Sequence, residues 1–320
     1  MSFNFPAQQG RRYNAFTGWC LTTFGERLQK VAVDAGFTCP NRDGTLSTEG
    51  CYYCNNESFN PSYCNPHISI TTQIAEGIKF LSIRYKKASR YLIYFQAYTN
   101  TYKNIEILKA LYEEALAYPD VAGLIIGTRP DCLSDELLAY LAELNKSHFI
   151  LVELGMETAN DKTLQRVNRG HTFATTHEAL IRCANYNIKA GVHLIFGLPG
   201  DTPEDMVAQA AIISALPVHS VKMHQLQVVK GTPLERMYAE QPGLFVPFTL
   251  QNYIDLVIDF TERLNPAIVI DRFAGEVPPR FLAGPSILAD SKYGFLRYDQ
   301  VLQHIEKRMK ERDTWQGKFF

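Results

Sequence analysis

Apolar runs typical of β-strands alternate with segments of helical spacing along most of this 320-residue chain, and the alternation repeats about every thirty residues. Such alternation predicts a parallel sheet, because two parallel strands need a helical crossover between them. Most of the runs are almost continuously apolar, as expected for strands that are buried on both faces. The six predicted strands span residues 31–36, 91–97, 121–128, 149–156, 188–196 and 220–228.

Two helix starts within this pattern are explicit. Ser134 precedes two acidic residues, as an N-cap before an acidic first turn does, and Thr202 precedes a proline that suits the first helical position. Six βα units over residues 31 to about 236, joined by right-handed crossovers, predict an α/β fold that curls into a full or partial barrel. We expect the partial form, a (β/α)6 TIM-like barrel, and an open doubly wound sheet is the alternative.

The chain divides into two predicted parts. Residues 1–236 form the core barrel with a short N-terminal extension, and residues 237–320 form a C-terminal extension packed on that core. The second part is predicted to hold a helix near 249–264, a short strand at 268–273 and a charged helix that ends near residue 312. Because it is short for an independent catalytic domain, we expect it to shape the site of the core.

Composition excludes several classes of protein. Lys and Arg number 32 against 33 Asp and Glu, so the chain is not a histone-like, charge-dominated binder of nucleic acid. It lacks an N-terminal signal peptide and any run near the roughly 20 apolar residues of a membrane span, so we expect a cytoplasmic protein without membrane contact. Three basic clusters are candidate RNA contacts, with solvated helix faces as the alternative: Arg11 and Arg12; Arg84, Lys86, Lys87 and Arg90; and Lys307, Arg308, Lys310 and Arg312.

The most specific chemical pattern is a loop after the first predicted strand, in which Cys39, Cys51 and Cys54 form a Cys-x11-Cys-x2-Cys array. Three interpretations are open: small buried residues, a structural zinc site completed by Cys64 or His67, or an iron–sulfur cluster held by three thiolates. Polar residues at the predicted strand ends favour the cluster. A cluster in which one iron lacks a protein ligand is a site for reaction, whereas a structural zinc site needs no such surroundings.

Together with Tyr53 just before the last cysteine and the run of βα units, this loop resembles that of the radical S-adenosylmethionine (SAM) superfamily. Later motifs resemble the branch that includes the catalytic subunit of Elongator, and one stretch is similar to short bacterial proteins of about this length. The Elongator-like motifs are ELGMET (153–158), NRGHT (168–172), GVHLIFGLPG (191–200) and KGTPL (230–234), and the bacterial stretch is YFQAYTNTY (94–102). The resemblance covers roughly residues 15–320.

The resemblance implies an enzyme that binds a [4Fe-4S] cluster and reductively cleaves SAM to a 5′-deoxyadenosyl radical inside a closed barrel. An electron donor such as flavodoxin or ferredoxin would reduce the cluster. Elongator-type enzymes act on the wobble uridine of tRNA, so the resemblance makes a uridine side chain of tRNA the leading substrate. A small molecule or a protein side chain is the alternative substrate, and a zinc-stabilised, non-catalytic binding protein is the alternative function.

The resemblance also assigns ligands of the cluster and contacts of SAM. Cys39, Cys51 and Cys54 would hold the cluster, and Tyr53 would approach the adenine. The sequence departs from the family where relatives often carry Gly-Gly-Glu to hold the SAM amino group. Gln96 is the best substitute there, and Asn100 lies in the same stretch.

Three further positions match contacts of SAM in relatives. Glu157 is expected at the ribose hydroxyls, because a carboxylate accepts their hydrogen bonds well. Arg169 is expected to bind the SAM carboxylate with its planar guanidinium. Gly197 would let the backbone approach the adenine, since glycine has no side chain to block it. His193 and His224 are either satisfied core residues or contacts of the substrate.

Overall fold

A parallel sheet organises the computed structural model, which describes residues 10–83, 88–290 and 294–320. Within those residues the sheet has seven strands, and each pairs in parallel with the next strand along the chain. The strands are β1 (Leu28–Val33), β2 (Arg90–Phe95), β3 (Val121–Thr128), β4 (Phe149–Glu157), β5 (Lys189–Phe196), β6 (Ser220–Gln225) and β7 (Val269–Arg272).

Helices between successive strands cover the outer face of the sheet, whereas α1 (Phe16–Phe24) packs on the apolar cluster of the inner face. The other helices are α2 (Ile70–Ser82), α3 (Ile105–Leu116), α4 (Asp135–Leu144), α5 (Asp161–Arg166), α6 (Phe173–Asn185), α7 (Pro203–Ser214), α8 (Pro233–Glu240), α9 (Leu250–Arg263) and α10 (Tyr298–Glu311). A short antiparallel pair, β8 (Ala289–Asp290) and β9 (Gly294–Phe295), precedes α10. Among the described residues, none of the helices has the length and apolar character needed to cross a membrane.

Strand alternation builds two cores on opposite faces of the sheet. Outward residues such as Val31, Ile93 and Val152 pack with the helices in the large core. Inward residues such as Leu92 and Leu151 form a smaller cluster inside the curl. Because successive side chains of a strand point to opposite faces, this second core requires the sheet to bend around it.

The sheet is a curled half-barrel, which confirms the predicted α/β partial barrel. Its strand order follows the chain order without reversal, so it is not the doubly wound alternative, in which the order reverses at a switch point. The two edge strands flank an opening, where the backbone before α1 pairs with β7 and the N–H of Ile270 donates to the carbonyl of Asn14 at 2.7 Å. The strand predicted at 268–273 is β7, which completes the same sheet. The domain boundary at residue 236 stays a prediction.

Strands β1 and β6 differ most from the boundaries predicted from sequence. Strand β1 begins at Leu28 rather than at residue 31, because its Lys30 interrupts the apolar pattern while pointing into the barrel. It also ends early, since the carboxylate of Asp34 accepts the N–H of Gly36 at 3.0 Å in a turn. Strand β6 ends at Gln225, whose side-chain amide exchanges hydrogen bonds with the backbone of Gly275.

Both predicted helix starts are confirmed. The hydroxyl of Ser134 accepts the N–H of Leu137 at 3.2 Å. Thr202 and Asp205 form a reciprocal capping box, in which each side chain accepts the other residue's backbone N–H. The capping box fixes the first residue of α7. It therefore also fixes the length of the turn between β5 and α7.

We expect Thr202→Ala to lower the free energy of unfolding by about 1 kcal/mol, because the backbone N–H of Asp205 in the first turn of α7 loses its side-chain acceptor. Thr172 is a matched control, since it is the N-cap of α6 but its side chain makes no capping hydrogen bond. Urea denaturation of the two variants measures the difference. Equal losses in both would contradict the role of the capping box.

Candidate functional site

A cavity of about 810 Å³ runs from the carboxyl ends of the strands into the barrel, and Cys39, Cys51 and Cys54 line its upper part. All three thiols are free, and the first two are buried. The loop that carries them is folded by its own backbone, since Cys39 accepts the N–H of Arg42 at 2.8 Å and Cys51 accepts that of Cys54 at 2.9 Å. The fold of this loop therefore brings Cys39, Cys51 and Cys54 together on one wall of the cavity.

N–H donors surround the sulfur atoms. Asn41 Nδ2 and Arg169 Nη1 each lie 3.5 Å from Cys51 Sγ, and Asn56 Nδ2 lies 3.6 Å from Cys54 Sγ. Burial raises the pKa of Cys54 to about 11, so this thiol holds its proton when no metal is bound. Binding of a metal group must release that proton. The donors would then stabilise the negative charge on the sulfur atoms, as hydrogen bonds to cluster thiolates do.

Cys64 and His67, the candidates for completing a zinc site, lie elsewhere. The thiol of Cys64 points to the backbone of β1, 3.4 Å from the carbonyl oxygen of Ala32, and His67 is exposed. Over the parts of the chain that are described, no three His, Cys, Asp or Glu side chains are arranged to hold a single metal ion. A cubane cluster places each cysteine on a different iron, so it spaces its ligands more widely than one ion does. The donor set therefore fits a cluster better than zinc.

Four of the predicted SAM contacts line the cavity beside the cysteines: Tyr53, Gln96, Glu157 and Arg169. The guanidinium of Arg169 is buried, lies 3.3 Å from the carboxylate of Glu157 and donates to the carbonyl of Gly155 at 2.6 Å. Its Nε and the hydroxyl of Tyr53 are buried without a hydrogen-bond partner. Buried polar atoms without partners are costly, so these two atoms fit a polar ligand at this end of the cavity.

The backbone around this ion pair is specialised. Glu157 has a left-handed backbone conformation with a φ of 65°, and the β4–β5 register shifts between Gly155 and Glu157. A side chain at Gly155 would lie 2.6 Å from the carboxylate of Glu157, so the ion pair needs glycine there. Arg129, fully buried, donates to the carbonyl of Arg169 at 2.8 Å and fixes the loop from below. The left-handed backbone of Glu157 is strained. Strain of this kind costs of order 1–3 kcal/mol and is found mainly at functional sites.

Asn100 and Gly197 lie apart from the described lining of the cavity. The amide of Asn100 donates to the carbonyl of Gly127 at 2.8 Å, and its carbonyl oxygen is buried without a partner. Gly197 has a φ of 94° and lies against the ring of Phe248, which a side chain at 197 would approach to 2.7 Å. Their contacts with SAM stay predictions.

The lower part of the cavity contains a charged group of residues, of which the sequence singled out only His193 as a candidate contact of the substrate. We call it the interior polar layer; it consists of Lys30, Tyr94, Glu153, His193, Lys222 and Asp271, all of which line the cavity. Each comes from a different strand: β1, β2, β4, β5, β6 and β7. The layer therefore crosses the whole barrel.

Glu153 is the centre of this layer. Its carboxylate lies 2.7 Å from His193 Nε2, 3.3 Å from Lys222 Nζ and 3.7 Å from Lys30 Nζ. Although burial disfavours a charged carboxyl group, the two ammonium groups hold the pKa of Glu153 well below its usual range. Glu153 is therefore an anion at neutral pH.

The remaining contacts pair every charge of the layer. Lys30 donates to Asp271 at 2.6 Å, and so joins the two edge strands across the opening of the half-barrel. Lys222 donates to the hydroxyl of Tyr94 at 2.9 Å. Burial raises the pKa of this Tyr94 hydroxyl well above its usual range, and the charge of Glu153 adds to the effect, so the hydroxyl stays neutral. Two ammonium groups thus balance two carboxylates.

One feature of the sequence could have revealed this layer. Glu153 and Lys222 each stand between two apolar residues of a buried strand, and Lys30 directly precedes the apolar run of β1. A charged residue at such a position is almost never buried unless it is paired, so it predicts a partner on another strand. Which strand supplies the partner depends on how the sheet curls. The sequence of a single strand does not show this.

Sequence comparison agrees with this geometry. Residues 40–210 match the family model of the Radical SAM superfamily, and residues 218–311 match that of the Radical_SAM C-terminal domain. The chain belongs to the radical SAM superfamily. It is therefore an enzyme, and like other members it uses a [4Fe-4S] cluster and SAM. Members also need an electron donor to reduce the cluster.

Similar proteins include the protein YtqA of Bacillus subtilis, 35% identical over 97% of this chain and 93% of its own length. A tRNA uridine(34) acetyltransferase of Dehalococcoides mccartyi is 30% identical over 58% of this chain but only 39% of its own length. The structure of Elp3 from the archaeon Methanocaldococcus infernus superimposes on 90% of this chain and 64% of its own chain. The TM-score is 0.65 and the sequence identity is 17%. The last similarity supports the fold, in agreement with the predicted Elongator-like branch.

We expect Lys222→Met to lower the free energy of unfolding by about 3 to 5 kcal/mol, because it leaves buried carboxylate charge without compensation. Lys146→Met is the matched control, since Lys146 forms an exposed ion pair with Glu143, and its loss should cost less than about 1 kcal/mol. Urea denaturation under anaerobic conditions measures both. Similar small losses in the two variants would show that the layer is not held together by charge.

Proposed function

We propose that this chain cleaves SAM reductively on a cluster held by Cys39, Cys51 and Cys54, and that it uses the resulting 5′-deoxyadenosyl radical to modify the wobble uridine of a tRNA. The observation that carries the proposal is the single cavity that joins the three cysteines to the barrel interior. Its volume of about 810 Å³ lies within the range of small-molecule sites and is large enough for more than one bound group.

The chemistry that the bound cofactors supply is electron transfer into SAM and formation of the carbon radical. The protein's own part is to bind and to exclude water. Arg169 would bind the SAM carboxylate through its free Nε–H. The carboxylate of Glu157 would accept hydrogen bonds from the ribose hydroxyls. Tyr53, Gln96, Asn100 and Gly197 would complete the contacts. The buried strands form the walls of the cavity and shield the radical from solvent on that side.

Support for tRNA as substrate comes from the relatives. One of them is named a tRNA uridine(34) acetyltransferase, and the Elp3 structure shares the fold. The part of that acetyltransferase that this chain matches is well under half of its length. We propose alteration of an existing uridine side chain, such as trimming or rearrangement of a C5 substituent.

The basic clusters favour the alternative of a small-molecule or protein substrate. Most of their described members are neutralised by carboxylates of the same chain, so they are not free to bind phosphate. The pairs are Arg11–Glu306, Arg12–Asp313, Arg90–Glu26, Lys307–Glu311, Arg308–Asp255 and Arg312–Asp259. Arg84, Lys86 and Lys87 lie outside the described residues. A substrate small enough to enter the cavity alone would need none of these contacts.

Replacing any one of Cys39, Cys51 or Cys54 by Ala is expected to abolish reductive cleavage of SAM, because each thiolate would hold a different iron. Cys64→Ala is the matched control and should retain cleavage, since its thiol points to Ala32 instead of the cavity. Iron, acid-labile sulfide and 5′-deoxyadenosine are measured in anaerobically purified proteins treated with dithionite and SAM. One zinc and no sulfide in the wild-type protein would instead support the zinc-stabilised binding protein.

Comparison of tRNA nucleosides from strains with and without the gene tests the substrate. We expect one modified uridine to disappear and its precursor to accumulate in the strain that lacks the gene. Restoration by the wild-type gene, but not by a gene encoding Cys51→Ala, ties the change to cluster chemistry. An unchanged nucleoside profile would exclude tRNA and leave the small-molecule or protein substrate.

A further inference from the structure

The interior polar layer is not needed to fill the barrel. The cluster of apolar residues beneath it, which includes Leu92, Ile125 and Leu151, shows that this sheet can be packed with hydrocarbon alone. Removal of two ammonium groups and two carboxylates from water carries a large desolvation penalty. Charges retained at such a position, on the wall of a cavity that also holds the three cysteines, are typical of a functional site.

His193 is the member of this layer that is most accessible from the cavity. Its side chain is 21% exposed, whereas those of Glu153 and Lys222 are 2% and 7% exposed. Its Nε2 lies 2.7 Å from the anionic carboxylate of Glu153 and must therefore carry the proton. The other ring nitrogen, Nδ1, is then a hydrogen-bond acceptor, and no bond from a described residue occupies it.

The surrounding charges keep Glu153, the partner of His193, in its ionised form. Lys222 and Lys30 hold Glu153 ionised, and Asp271 balances Lys30. His224, whose ring centre is 5.9 Å from that of His193, has a pKa that burial and the nearby Arg272 hold well below its usual range. With so low a pKa, His224 is a weak base and does not compete for the proton. Tyr94 on β2 is also neutral and holds its proton, so Nδ1 of His193 is the nitrogen of the layer that can accept a hydrogen bond from a ligand in the cavity.

We infer that His193 exchanges a proton with the substrate during the radical reaction, and that Glu153 is the positioning residue that orients its ring. In the forward step, His193 Nδ1 takes the proton of a weakly acidic N–H or O–H group of the substrate. The electron pair of that bond stays on the substrate, and the imidazolium is stabilised by Glu153. The proton returns when product forms.

This inference rests on the proposed radical SAM function and narrows the class of substrate. The substrate carries an ionisable N–H or O–H group close to the carbon that reacts. It is polar and planar enough to lie against the imidazole rings of His193 and His224. The uracil ring, with its N3–H, belongs to this class, and so do other cyclic imides and amides. A saturated hydrocarbon chain does not.

The test uses the cluster-loaded protein and extract of a strain that lacks the gene, so that it does not depend on tRNA being the substrate. Small metabolites and tRNA nucleosides are compared before and after reaction, and the compound that only the wild-type enzyme forms is taken as product. We expect His193→Gln to lower the amount of product formed per 5′-deoxyadenosine by about 100-fold or more, as loss of a general base does. The matched control His177→Gln alters an exposed residue of α6 and should behave as wild type.

A second measurement needs no substrate. Nitrogen-15 NMR of histidine-labelled protein should show His193, identified by its absence from His193→Gln, with its proton on Nε2 at pH 7. Glu153→Gln should lower the population of that tautomer, which a merely structural carboxylate would not do. Cluster content and circular dichroism confirm that this variant is folded.

The outcomes separate the two proposals. Absence of 5′-deoxyadenosine in the wild-type reaction would sink the proposed function itself. Normal 5′-deoxyadenosine with a product ratio in His193→Gln equal to that of wild type would overturn the inference about His193 and leave the proposed function intact. A protonated ring, or a proton on Nδ1 in the wild-type protein, would overturn it as well.

Discussion

The carboxylate of Glu153 in the centre of the barrel constrains much of this structure. It can remain charged there only because other strands bring Lys30, His193 and Lys222 within 4 Å of it. A slip of one residue in the register of β4 would turn Glu153 to the outer, apolar face and leave both ammonium groups without their anion. The layer therefore couples the register of the strands to the electrostatics of the cavity.

The same layer accounts for the stability of an incomplete barrel. The edge strands β1 and β7 do not form a ladder with each other, yet the contact of Lys30 with Asp271 joins their side chains across the opening. Backbone pairing between Asn14 and Ile270 supports this edge from outside. An opening that is bridged by side chains, and not by a continuous ladder, leaves room beside it for the cavity to reach solvent.

Local patterns predicted the elements of the fold, and contacts between distant segments explain what they missed. The apolar runs located every strand of the sheet, Thr202 located a helix start, and the cysteine loop located one wall of the cavity. Sequence could not show that Arg308 and Arg312, predicted as part of a basic cluster, are neutralised by Asp255 and Asp259, because packing of α10 on α9 creates those pairs. For the same reason it gave no role to Glu153, whose partners lie 40 to 123 residues away. The lengths of those intervals exceed the reach of any local motif.

Stability and function compete most visibly at the two ends of the cavity. At the upper end, Glu157 keeps a left-handed backbone and Arg169 keeps a buried Nε–H without a partner. At the lower end, the charges of Glu153 and Lys222 are buried, and those of Lys30 and Asp271 half-buried, where apolar side chains would suffice. The large core between sheet and helices offsets these costs, since burial of apolar area is the dominant favourable term in folding. A chain selected for stability alone would lose both features, so their coexistence along one cavity argues that ligands bind at both ends.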